Sequence, residues 1–166
     1  MMSKKKGFTL IELLISLAIV AIIATLGVNT LQKYAAKTKL RTAAGELAAD
    51  FAYCRDKAKS EGRIFTITFQ ASSAASSYTI SAPATAALSA FNLVKTPSAQ
   101  AAGVEITGAD FTGCTTVRLT QRGLLAHCGA TPSPQNNSGT VSLTNNRGEM
   151  ALVAVNNMVK TYVDYP

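Results

Sequence analysis

Apolar residues fill almost every position from residue 8 to residue 27. Beyond that point polar residues enter at helical spacing, and from residue 64 the period shortens to two. The 20 residues of the first stretch, as a helix rising ~1.5 Å per residue, reach ~30 Å, the thickness of a bilayer core. Apolarity on all faces predicts a lipid-embedded segment rather than one resting on a core. Next, Leu31, Tyr34, Ala35, Leu40, Ala44, Leu47, Ala48, Phe51, Cys54 and Ala58 fall near i, i+3, i+4 and i+7, and predict an amphipathic helix whose stripe seats a second layer. Lys33, Lys37, Arg41, Glu46, Asp50, Arg55, Asp56 and Lys59 are assigned to its other faces, and Gly62 to its C-terminal stop.

Residues 64–69 (IFTITF) alternate cleanly and predict a strand with Phe65, Ile67 and Phe69 on one face, returning near residues 78–80. Residues 82–103 are rich in Ala and Ser and read mostly as loop. Strands are expected at 104–107 and at 116–120, the latter turning at Gln121-Arg122-Gly123 into 124–126. A three-strand meander is expected over 140–144, 150–155 and 158–163. The whole predicts an α+β architecture: one long N-terminal helix packed on an antiparallel β-sheet head.

Charge refines this picture. Lys4, Lys5 and Lys6 precede the apolar stretch with no acid nearby, which assigns that end to the cytoplasm and the rest of the chain to the far side. The net charge of +7 falls to +4 without those three lysines. Eight of the remaining bases lie between residues 29 and 63, so the helix is basic and the head near neutral. Glu12 is the anomaly, because a carboxylate in a spanning helix costs about 2.5–3.5 kcal/mol at the bilayer centre and less near an end. An ordinary secretory signal is cut after its apolar core, whereas the good processing point here, after Gly7, retains the core and removes only the basic leader.

Gly7-Phe8-Thr9-Leu10-Ile11-Glu12 resembles the class III signal of type IV prepilins and type II secretion pseudopilins. The resemblance implies cleavage between Gly7 and Phe8 by a prepilin peptidase and N-methylation of Phe8. It also implies a role for Glu12 in assembly, as the partner of a neighbouring subunit's Phe8 amine. It further implies other pilin or pseudopilin subunits and an inner-membrane assembly platform as partners. The chain is then a single-pass protein of a bacterial inner membrane with its head in the periplasm, later part of a filament. On this reading residues 1–7 are the leader, 8–28 the transmembrane and filament-core helix, 29–62 the amphipathic helix and 63–166 the β-rich head.

A looser resemblance covers the rest. A helix carrying Leu47, Phe51 and the basic Arg55-Asp56-Lys57-Ala58 turn leads into the strand at Phe65. The VRLTQRG strand and turn at 117–123 follows, then a variable loop, then Val141-Ser142-Leu143 with a closing hairpin. This order is similar to the GspH/FimT class of minor pseudopilins and minor pilins, and implies a structural subunit that helps to start filament assembly. Some FimT-like pilins bind DNA for natural transformation through a basic Gly-Arg-x-Arg element. Here the nearest pieces are Arg147-Gly148-Glu149-Met150 and Gln121-Arg122-Gly123. Arg118, Arg122 and Arg147 are therefore the candidate weak DNA contacts. The near-neutral head argues against nucleic acid as a partner, because non-specific affinity scales with the phosphates neutralised.

Little points to chemistry. One histidine, no Ser/His/Asp constellation and no phosphate loop predict a non-enzyme without cofactor. His127 beside Cys128 lacks the further ligands of a zinc site, and Asp110 with Thr112 lacks the carboxylate ring of a calcium loop. The cysteines Cys54, Cys114 and Cys128 permit three pairings. In an exported domain the favoured one joins Cys114 to Cys128, closing a loop of about 15 residues worth roughly 3 kcal/mol, with Cys54 a buried thiol on the helix.

Overall fold

The computed structural model describes residues 8–71, 76–127 and 138–166. The chain comprises two units, Met1–Ala35 and Ala36–Pro166. Helix α1 (Leu10–Glu61) contributes residues to both.

In the first unit the described part of α1 is apolar and exposed. Every large apolar side chain described between Phe8 and Ile23 is at least 53% exposed. Its apolar window is long enough to cross a membrane, and none of that window is buried.

In the second unit α1 becomes one wall of a core. Leu40, Ala43, Ala44, Leu47, Phe51, Cys54 and Ala58 are all buried, at the 3- and 4-residue spacing that keeps one face inward. The stripe begins at Leu40, later than the sequence suggests: Leu31, Tyr34 and Ala35 continue its spacing but belong to the first unit and are exposed. Gly62 ends the helix with φ +61°, a left-handed conformation that glycine adopts without a Cβ penalty.

Two antiparallel sheets make up the rest of this unit. The first contains β1 (Phe65–Gln70), β2 (Ser77–Ala82), β3 (Phe91–Lys95), β5 (Thr116–Leu119) and β6 (Leu125–His127), in the order β3-β2-β1-β5-β6. The second contains β4 (Val104–Asp110), β7 (Gly139–Asn145), β8 (Met150–Val155) and β9 (Thr161–Asp164), in the order β4-β7-β8-β9. A single helical turn, α2 (Pro97–Gln100), leads into β4, with proline near its start where no N–H is needed. Alternation sorts the side chains. Phe65, Ile67 and Phe69 on β1, Val141 and Leu143 on β7, and Ala151, Val153 and Val155 on β8 all point into one hydrophobic cluster with the α1 stripe.

Phe111, immediately after β4, ties the layers together. Its ring lies 6.2 Å from Phe51 of α1 and 5.6 Å from Phe69 of β1, between centroids. Gly139 opens β7 directly against that ring, where a Cβ would collide with it. Leu125 of β6 donates its N–H to the Asn157 carbonyl at 2.9 Å, a direct link between the sheets.

The α+β class read from the sequence is the observed one, and the details differ in instructive places. The expected C-terminal meander exists as β7-β8-β9, but β4 extends it and the head has two sheets. β3 lies inside the stretch read mostly as loop. As an edge strand with its middle three residues exposed, it carries no burial alternation to reveal it. The last strand starts at Thr161 rather than Met158. The Asn156 side chain accepts from the N–H groups of Met158 and Lys160, and the turn so formed holds Val159 at φ +58°.

Candidate assembly site

Thr9 precedes α1, and its hydroxyl oxygen accepts from the Glu12 backbone N–H at 3.4 Å, while its carbonyl accepts from Leu13 N–H at 3.3 Å. Thr9-Leu10-Ile11-Glu12 is thus a Thr-x-x-Glu sequence at a helix start, the pattern of a capping box, with the threonine serving one of the N–H groups left open there. Glu12 stands in the first turn, where the positive end of the helix dipole favours a carboxylate. Ser16 donates its hydroxyl to the Glu12 carbonyl at 2.7 Å, so its polar atom is satisfied within the helix. Among the described residues no cation pairs with the Glu12 carboxylate, and both Glu12 and Phe8 are exposed. Gly7, the expected cleavage residue, and Lys4 to Lys6 lie outside the described residues.

The candidate basic contacts fall on separate elements. Arg118 is on β5, pointing away from the core between Thr66 and Ala126 of the flanking strands. Arg122 is in the turn to β6, so these two share a hairpin. Arg147 is in the β7–β8 turn of the other sheet, its N–H donating to Asn145 Oδ1 at 3.0 Å. The β5–β6 turn leans on the helix. Gly123, at φ +71°, packs under the alkyl stems of Lys59 and Arg55, and its left-handed backbone disfavours any residue with a Cβ.

Two polar clusters fix the head to α1. Asp50 is buried and accepts the Tyr78 hydroxyl at 2.5 Å and the Lys95 ammonium at 2.7 and 2.8 Å, pinning β2 and the edge strand β3 to the helix. Burial first, then the hydrogen bond to Asp50 and its charge, push the Tyr78 hydroxyl well above its ordinary range. The sequence pattern assigns Asp50 to a face other than the apolar stripe, and the structure buries it. The missed signal is its position three residues from Leu47 and four from Cys54, on the stripe itself. Arg63 forms the second cluster. Its Nε donates to Glu61 at 2.6 Å, one terminal nitrogen donates to the Pro83 and Ser89 carbonyls at 3.2 and 2.7 Å, and its guanidinium lies over the Phe65 ring.

Cys54 is a free, buried thiol, pushed up to about 12 chiefly by burial and then by the Asp50 charge, which keeps it protonated and unreactive at neutral pH. Cys114 is disulfide-bonded, and Cys128 lies outside the described residues. No group of three or more His, Cys, Asp or Glu side chains able to hold a metal occurs among the described residues.

The prokaryotic N-terminal methylation motif matches residues 2–28. The chain is 32% identical over 119 residues to the type IV major alpha-pilin of Moraxella bovis, a match covering 72% of this chain and 70% of that protein. It is 46% identical over 48 residues to fimbrial protein Q of Moraxella bovis, covering 29% of this chain and 31% of that protein. No solved structure matches. With the signal motif, an apolar helix fit for membrane anchoring and a relative aligned over most of both chains, the protein belongs to the type IV pilin family.

Proposed function

We propose that this chain is a non-enzymatic minor subunit of the GspH/FimT kind. It is anchored in the inner membrane with its head in the periplasm and trimmed after Gly7 by the prepilin peptidase. After methylation on Phe8, an inner-membrane assembly platform draws it into a type II secretion pseudopilus or type IV pilus, whose assembly it helps to start. The observation that carries this reading is the apolar helix, whose described large side chains from Phe8 to Ile23 are all exposed. Lipid satisfies such a surface as well as another helix does, so packing alone drives association weakly. Glu12 supplies the bias. Its carboxylate is costly in hydrocarbon, and a neighbour's Phe8 ammonium offsets that cost only when both are buried together.

Expressed beside its partner subunits, Glu12→Ala is expected to fractionate with membranes as the native chain does but to be depleted from sheared filaments. Normal incorporation of the variant removes the pairing role.

A second reading has its own support: the Moraxella relative is a major alpha-pilin, which favours a shaft subunit. Quantitative mass spectrometry of purified filaments separates the two. A minor subunit is present at a small fraction of the principal pilin, whereas a shaft subunit is itself the principal component.

A further inference from the structure

Across the outer face of the second sheet runs a row of four residues in register. Asp110 of β4 faces Thr140 of β7, Thr140 faces Ala154 of β8, and Ala154 faces Tyr162 of β9. Neighbouring strands are about 4.8 Å apart, so the row spans roughly 14 Å. Its centre is low, a threonine and an alanine, and its ends are high, a carboxylate and an aromatic ring. The result is a trough with a cavity volume of about 410 Å³, within the ~300–1,000 Å³ range of small-molecule sites.

The polar groups of this trough are held in place. Asp110 Oδ1 accepts from Gly113 N–H at 2.8 Å, which fixes the carboxylate plane. Asn156 also lines the trough. Its Oδ1 is occupied by the N–H groups of Met158 and Lys160 at 3.0 and 2.8 Å, so its amide NH₂ is the group left to donate. The Ser138 and Thr140 hydroxyls both donate and accept. Tyr162 is 60% exposed, with its ring free to receive an apolar face.

This combination selects a ligand class. Among the described residues that line the trough there is no cation to meet an anion beside Asp110 and a single carboxylate to meet a metal ion. A purely apolar ligand would bury hydroxyl, amide and carboxylate groups without partners. A neutral sugar suits every wall, because a pyranose ring presents a C–H face to an aromatic side chain and a rim of hydroxyls that donate to a carboxylate and accept from an amide. We propose that this trough is a binding site for neutral pyranosides, taking roughly one or two rings laid across the strands. The site is on the head and does not depend on the chain's place in a filament.

The test is saturation-transfer NMR on the full-length chain in a detergent without a sugar headgroup, with lactose, maltose and N,N′-diacetylchitobiose as probes. Transfer is expected to the C–H protons of one ring face of at least one probe, lost in Tyr162→Ala and kept in Tyr162→Phe. Asp110→Asn preserves the acceptor for Gly113 but replaces the charge, and is expected to weaken binding about tenfold. Two results overturn the assignment: no transfer to any of the three sugars, or transfer that persists in Tyr162→Ala. Silence toward all three sugars, with Tyr162→Ala blocking filament incorporation, likewise overturns it and reassigns the trough to subunit contact.

Discussion

Replacing Asp50 with alanine removes the acceptor that two strands share. Tyr78 is 3% exposed, so its hydroxyl has no water to turn to once the 2.5 Å bond is lost. Lys95 is better placed, since a quarter of its side chain is open to solvent and the ammonium can rehydrate. Breaking a buried pair by deleting one member typically costs 3–5 kcal/mol, and the partial exposure of Lys95 puts the expectation at the lower end, about 3 kcal/mol. Tyr78→Phe alone should cost about 1.5 kcal/mol, the loss of one hydrogen bond to a charged acceptor. In the double variant the phenylalanine no longer needs an acceptor, so the loss should stay near 3 kcal/mol, a coupling of about 1.5 kcal/mol. Urea unfolding of the full-length chain in detergent, followed by near-ultraviolet circular dichroism, measures all three. The reasoning fails if Asp50→Ala shifts stability by less than ~1 kcal/mol, or if the two substitutions add within ~0.5 kcal/mol.

Two further outcomes follow from the same core. Cys54 and Tyr78 both hold their protons more tightly folded than unfolded. The contribution of these two groups to stability should therefore be constant from neutral pH to about pH 8.5 and be lost as pH rises toward 12, by up to ~1.4 kcal/mol per pH unit for each proton that the unfolded chain has released. Cys54→Ala should postpone the decline to above pH 10, and an unfolding midpoint constant from pH 8.5 to 11 would contradict this. Gly139→Ala drives a Cβ into the Phe111 ring and should cost about 1–3 kcal/mol, partly recovered by adding Phe111→Leu. An unchanged midpoint for the single variant would mean that the ring moves aside freely.

Patterns that obey one period were readable from the sequence. The α1 stripe, the Phe65-Ile67-Phe69 alternation and the β7-β8-β9 meander each repeat a single rule over several residues, and each was found. What was hidden is what depends on two distant segments at once. Asp50 looked like one more charge on a basic helix until Tyr78 and Lys95, 28 and 45 residues later, were brought against it. β3 has its backbone paired to β2 but almost no buried face, so pairing rather than pattern makes it a strand. The trough from Asp110 to Tyr162 exists only because three registers line up, and that between β4 and β7, distant in sequence, leaves no local trace. At the N-terminus the reverse holds. The whole signal is local, and the Thr9 cap, absent from the sequence reading, has a local signal as well, a threonine three residues before a glutamate.

That cap complicates the simplest account of Glu12. An acid at this position has an intramolecular reason to be there, since it stands in the first turn, at the positive end of the helix dipole, an effect worth about 0.3–1 kcal/mol in water. Unserved N–H groups are costlier still where water is scarce. Loss of assembly in Glu12→Ala could therefore arise from a frayed first turn rather than from a missing charge. Glu12→Gln separates the two, because glutamine serves in a capping box and keeps the side chain's length but cannot form an ion pair. If the carboxylate acts by pairing with a neighbour's ammonium, Glu12→Gln should be excluded from filaments as strongly as Glu12→Ala, with its helix content unchanged. Incorporation of Glu12→Gln at the native level would assign Glu12 to the start of its own helix, and the force that gathers the subunits would have to come from apolar packing alone.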